Sequence, residues 1–225
     1  AARRAGADGR ARSPSSRVAT WPAAKIRGMS TLDDAATAPP ESLDAPVFLL
    51  AMPQVMDPFF HKSVVLLVQH ADEGSLGFIV NRPTELKISD ILDDLEVPWR
   101  EDDESCAYFG GPVSWEMGTL VIRDEDVDGA DGLTPGVALT QSAADLQRLV
   151  DLPNDQFRLY LGYAGWGEGQ LEKEIVRNDW LIAPVSSELI FANDPEEVWR
   201  AAVESVGINP DLLPAWTQDG ADDSN

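Results

Sequence analysis

Apolar residues in this chain fall into short, dense runs separated by Pro, Asp and Gly. The runs at 47–51, 63–69 and 76–81 are largely β-branched, leucine or aromatic, and they predict strands. Similar runs at 106–109, 118–123, 137–141, 157–163 and 180–183 predict further strands. Residues 63–68 are apolar almost without a break, which suits a strand covered on both faces. Helical spacing occurs between some of these runs. Asp194-Pro195-Glu196-Glu197 combines a capping aspartate, a proline in the first turn and a glutamate three residues after the cap. Val198, Trp199, Ala202, Val203 and Val206 then form a stripe that Gly207 and Pro210 bring to an end. Ile88, Ile91, Leu92 and Leu95 predict a short helix before Pro98, residues 170–177 another, and Ser142 with Asp145 the start of a third. Strands outnumber helices and do not alternate with them regularly. The pattern is that of an α+β fold with mixed layers, not a doubly wound parallel sheet.

Charge divides the chain. Residues 1–28 carry seven basic side chains against Asp8 alone, whereas residues 29–225 carry ten basic and thirty-eight acidic ones. The first segment is rich in Ala, Arg and Ser and has no methionine before Met29. It reads as upstream sequence ahead of a start at Met29, as an organelle transit peptide, or as a basic arm. Residues 1–45 are expected to form a non-globular lead-in, residues 46–216 the folded domain, and 217–225 an acidic tail. The acidic body repels phosphate backbones and anionic lipid, which argues against nucleic acid and membrane partners. No apolar run approaches the roughly 18 residues of a membrane span. The composition reads as cytoplasmic, or as organelle stroma or matrix if residues 1–28 are a transit peptide, and the acidity as solubility, in the extreme a high-salt cytoplasm. A single cysteine, Cys106, and two histidines give no disulfide framework and no metal cage, and no cofactor is expected.

Three stretches carry candidate chemistry. In Met52-Pro-Gln-Val-Met-Asp57-Pro-Phe-Phe-His61-Lys62-Ser63, Asp57, His61 and Lys62 stand at the lip of a buried strand, where His61 could act as acid or base. The competing reading is structural: Asp57-Pro58 begins a turn and Phe59-Phe60 plug the core. Asn81 and Arg82 end the next strand, where a guanidinium could fork onto a carboxylate or phosphate. Leu161-Gly-Tyr-Ala-Gly-Trp166-Gly-Glu168-Gly-Gln170 reads as a strand entering a glycine-rich loop before a helix. It lacks the Lys-Ser/Thr pair of a P-loop and the spacing of a dinucleotide fingerprint, so a tight chain reversal with Trp166 packed over it competes with a binding loop. Cys106, in an apolar run, reads as a buried inert thiol.

Taken in order, Ala51-Met-Pro-Gln54, Met56-Asp-Pro-Phe-Phe60, His61-Lys-Ser-Val64, Gly77 with Val80-Asn-Arg-Pro83, Gly110-Gly-Pro-Val113, Leu161–Gly167, Gly169-Gln-Leu-Glu172 and Asn178 with Trp180-Leu181 resemble the YqgE/AlgH family of small bacterial proteins. The resemblance covers about residues 46–216, and the Asp- and Gly-rich stretch 124–136 lies apart from it. It implies a single α+β domain with a bent, bifurcated, largely antiparallel sheet and flanking helices. It implies no established reaction and no cofactor. One branch is described as a regulator of alginate production, which is a genetic effect. The expectation is a regulatory or partner-binding protein without catalytic activity. The alternative is a small-molecule-binding protein or enzyme whose site joins Asp57, His61, Lys62, Asn81 and Arg82 to Trp166, Glu168 and Gln170; direct DNA reading ranks third.

Overall fold

Dense apolar runs that are short and bounded by turn residues form a sheet. The computed structural model describes residues 43–94, 99, 104–123, 131–142, 152–153 and 155–214. In these, β1 (Val47–Ala51), β2 (Val64–Ala71) and β3 (Gly74–Ile79) form a meander. Next come β4 (Pro83–Lys87), α1 (Ile88–Asp94), β5 (Cys106–Phe109) and β6 (Val113–Ile122). The hairpin of β7 (Asp131–Thr134) and β8 (Val137–Thr140) precedes the long β9 (Phe157–Gly167). The chain continues through α2 (Gln170–Val176), β10 (Trp180–Ala183), α3 (Ser187–Ile190) and α4 (Pro195–Ser205) to a 3-10 turn at Pro210–Leu212.

The strands lie in the order β10-β1-β2-β3-β9-β6-β8-β7, every neighbouring pair antiparallel. The sheet forks at β9. One of its edges pairs with β6. The other pairs with β3 at its C-terminal end, through Gly77↔Ala164 to Gly74↔Gly167, and with β5 nearer its start, in parallel register at Tyr108↔Tyr160 and Phe109↔Leu161. β4 lies outside β5. This is the bent, bifurcated α+β sheet that the family resemblance implies.

Both faces are covered. Phe48, Leu50, Val64, Leu66 and Phe78 pack with Val198, Trp199, Ala202 and Val203 of α4, and the Trp199 indole donates to the Ala51 carbonyl at 2.8 Å. The opposite side chains, Leu49, Ala51, Val65, Leu67 and Ile79, pack with Trp166, Leu171 and Trp180. A third cluster sets Ile88 and Leu92 of α1 against Ala107, Leu120, Ile122, Phe157 and Leu159. Continuous apolarity in β2 thus follows from burial on two sides. α4 begins as its sequence predicts, with the Asp194 carboxylate accepting from the Glu196 amide at 3.1 Å.

Some expectations are corrected. The strand predicted over 157–163 does not give way to a loop: residues 164–167 are strand too, and β9 runs to Gly167. The reason is backbone crowding. Gly162 sits at φ +69, and a Cβ there would lie 2.5 Å from the Gly111 carbonyl oxygen. Four residues of β6, Ser114 to Met117, oppose this one position. The proline-initiated β4 and the glycine-containing β7 carry weak strand signals and were not predicted. Phe60 enters the core, but Phe59 is 47% exposed. Cys106 is half-buried, not sealed in. The helix expected after Ser142, the lead-in before residue 43 and the acidic tail lie outside the described residues.

Candidate functional site

The segment between β1 and β2 is a loop whose backbone is held almost residue by residue. The Asp57 carboxylate accepts from the Phe59 amide at 2.8 Å, an Asx turn. The Asp57 carbonyl accepts from the amides of Phe60 (3.1 Å) and His61 (2.8 Å). Lys62 then adopts a left-handed conformation at φ 51, which turns the chain into β2. Asn81, buried just after β3, clips this turn: its Oδ1 accepts from the Val64 amide and its Nδ2 donates to the Lys62 carbonyl, both at 2.9 Å. The Arg82 guanidinium donates to the His61 carbonyl, while its own carbonyl accepts from Phe109 at 2.8 Å. At the other end the Met52 amide donates to the Asp179 carbonyl at 2.9 Å, and the Gln54 side chain donates to the Asn178 carbonyl.

Electrostatics follow from this crowding of cations. Burial pushes Arg82 below its ordinary value. His61 is lowered from 6.5, first by partial burial and then by the charges of Lys62 and Arg82. Both effects favour the neutral imidazole.

The second half of the predicted site centres on a residue the sequence did not single out. Glu174 Oε2 accepts from the indoles of Trp166 and Trp180, each at 2.8 Å, and Oε1 accepts from Gln170 Nε2 at 2.9 Å. Gln170 Oε1 in turn accepts from the Gly167 amide at 3.2 Å. Phe60 joins the two halves, its ring 5.7 Å from Trp180 in edge contact and 6.4 Å from Trp166. The predicted residues thus form a group around the 52–63 loop (Asp57, His61, Lys62, Asn81, Arg82) and a latch at α2 (Trp166, Gln170), linked by an aromatic side chain. Glu168 is exposed in the turn between β9 and α2. The four-residue spacing of Gln170 and Glu174 is the signal that could have revealed the latch.

Beside the latch, His70 Nδ1 lies 2.7 Å from Ser75 Oγ, and His70 Nε2 lies 3.7 Å from Glu172 Oε1. The connectivity is that of a Ser–His–acid relay. Ser75 is nine-tenths buried within the sheet, however, and the acid stands beyond hydrogen-bond distance, so the cluster ties α2 to β2 and β3 without presenting a nucleophile. Among the described residues no group of three His, Cys, Asp or Glu is placed to hold a metal ion, and no helix is long and apolar enough to cross a membrane.

These features define a small α+β protein with a forked sheet, whose conspicuous polar residues are tied into backbone and indole hydrogen bonds. The AlgH-like family model (DUF179) matches residues 48–211, and the chain belongs to this family. A UPF0301 protein of Methylococcus capsulatus is 42% identical over 171 residues, 74% of this chain and 90% of the relative. One from Myxococcus xanthus is 34% identical over 75% of this chain and 94% of its own length. The solution structure of the AlgH protein from Pseudomonas aeruginosa superposes with a TM-score of 0.63 at 31% identity, over 75% of this chain and 94% of that one. A crystal structure from Corynebacterium diphtheriae, 22% identical, shares the fold with a TM-score of 0.60 over 77% and 89% of the two chains.

Proposed function

We propose that this protein is a regulatory, partner-binding protein without catalytic activity, and that the outer surface of the 52–63 loop is its contact face. One observation carries the reading. The polar residues of the loop and its clips hold the backbone in shape, while Phe59 (47%) and Met56 (38%) stay exposed on it. Exposed aromatic and methionine side chains on a fixed loop are what interface centres use, since little entropy is lost on docking. Phe59 is prearranged by stacking on Phe109 at 5.6 Å between ring centroids. Lys62, exposed three residues further along the loop, adds a cation to a largely acidic body. The partner this face suits is a protein segment presenting an apolar side chain next to a carboxylate.

A photoreactive residue at position 56, with a control at the 82%-exposed Val176, tests this in cells. The expected result is a discrete adduct from position 56 alone, lost on Lys62→Glu. Identical adducts from both positions, or substrate turnover by the purified chain that survives Lys62→Glu, would contradict it.

A further inference from the structure

The apolar cover of the sheet stops at the C-terminal half of β9. Ala164 and Trp166 are buried in the cluster with Leu171 of α2, whereas Gly165 and Gly167, which alternate with them, are exposed and Tyr163 is half-buried. Leu76 of β3 lies directly opposite Gly165 and is also half-buried. Val113 of β6, 37% exposed, borders Gly165 from the other edge of β9: its Cγ2 is 3.8 Å from where a Cβ of Gly165 would lie, and the Tyr163 ring comes to 3.2 Å of the same point. Ser114, at φ 47, then opens the bulge of β6. Trp115 stands on that bulge 66% exposed, more than any other tryptophan or phenylalanine among the described residues.

We infer that this face, with Gly165 as its floor and Leu76, Val113, Tyr163 and Trp115 around it, docks an extended polypeptide segment that carries an arginine two residues from an apolar side chain. A glycine on an open strand lets another backbone approach closely. An exposed indole covers an apolar side chain or lies under a guanidinium. Charge sets the rest of the chemistry. Glu73 and Glu168 each stand one residue beyond the Gly74↔Gly167 pair, which places them about 10 Å along the strands from Leu76 and Gly165. Two residues of extended chain cover about 7 Å of that span, and an arginine side chain reaches the remainder. Glu116 adds a third carboxylate next to Trp115. All three acids are exposed, and among the described residues none is in an ion pair or a side-chain hydrogen bond. Lys173, whose Nζ is 4.0 Å from a Cβ built on Gly169, pairs with none of them. Thirty-eight acidic against ten basic side chains in residues 29–225 oppose a second copy's body as the occupant. The segment this face suits is opposite in charge to the one that suits the 52–63 loop.

The full chain is titrated into fluorescein-labelled peptides and anisotropy is read at about 0.15 M salt, where long-range attraction is screened. The probes are three repeats of Leu-Ser-Arg-Ser, and the same length of Ser-Ser-Arg-Ser, Leu-Ser-Ser-Ser and Leu-Ser-Glu-Ser. Saturable binding of the first is expected, with the other three at least tenfold weaker. Trp115→Ala, which alters an exposed side chain and no charge, should weaken the first peptide at least tenfold with an unchanged urea midpoint. Glu73→Gln with Glu168→Gln should weaken it at least threefold and leave Leu-Ser-Ser-Ser unaffected. No binding of the first peptide, equal binding of Ser-Ser-Arg-Ser or Leu-Ser-Ser-Ser, or undiminished binding by the Trp115→Ala protein would overturn the inference. So would a dimer in sedimentation that Trp115→Ala dissolves, since a second copy would then occupy the face.

Discussion

The two halves of β9 handle the same problem, a strand shared by three neighbours, in different ways. Its C-terminal half, Tyr163 to Gly167, sets glycine and alanine among two large aromatic residues, and Ala164 to Gly167 pair with β3. There the polar side chains close on one another, with Glu174 holding Trp166, Trp180 and Gln170. The N-terminal half, Phe157 to Leu161, carries bulky residues at every position and is held off β5 until Tyr160. Its buried arginine meets an open cleft. Gly74 of β3, where a Cβ would lie 2.4 Å from the Trp166 carbonyl oxygen, lets those two backbones touch and leaves no room between them, whereas side-chain bulk separates strands and creates it.

Substitutions at the fork and its clips sharpen this contrast. Gly162→Val adds a Cβ against the Gly111 carbonyl at positive φ. It is expected to cost about 3–5 kcal/mol from strain and overpacking together, or to prevent folding, as read by urea unfolding. A loss under about 1 kcal/mol would break the account of backbone crowding. Asn81→Ala removes two hydrogen bonds from a buried position and strands the Val64 amide and Lys62 carbonyl. A loss of about 3 kcal/mol is expected by the same measurement. Glu174→Gln keeps the shape of the latch but removes its charge, with an expected cost of about 1–2 kcal/mol and a red shift of tryptophan emission.

Tyr160, at the junction of the two halves, provides the opposite sign. Its hydroxyl is fully buried and, among the described residues, has no hydrogen-bond partner, and burial raises its pKa. Tyr160→Phe is therefore expected to stabilise the fold by about 1 kcal/mol. A destabilised variant would show that the hydroxyl has a partner. The smallest effect concerns His61. Its pKa is lowered in the fold, so the unfolded chain binds this proton more readily, and stability falls as pH drops through about 6.5 towards the folded value. An NMR titration should place its midpoint below 6.5, and Lys62→Gln should raise it. An unmoved midpoint in that variant would remove Lys62 as a cause.

What the sequence made legible was local. The doubly covered β2, the capped start of α4 and the short α1 follow from runs, spacing and Asp-Pro signals within a few residues of one another. The extent of β9 was not legible, because its glycines look like a loop until the backbones of Gly111 and Val113 are set against Gly162. Nor was the role of Asn81. An asparagine after a strand reads equally well as a ligand group, and only the return of residues 62–64 shows that it serves the backbone. The cleft is gathered from residues 88, 105, 106, 108, 155, 157–159 and 193, which come from four separate stretches of the sequence.

Clips that shape and side chains that bind are separable if this account is right, and one paired measurement separates them. Photo-crosslinking from position 56 and the urea midpoint are recorded on the same chain with Phe59 intact or replaced by Asp. Phe59 is half exposed and stacks on one ring, so stability should change by no more than about 1 kcal/mol while the adduct disappears. An adduct that persists on a stable Phe59→Asp protein, or a stability loss as large as that of Asn81→Ala, would place Phe59 among the structural residues and leave the proposed contact face without support.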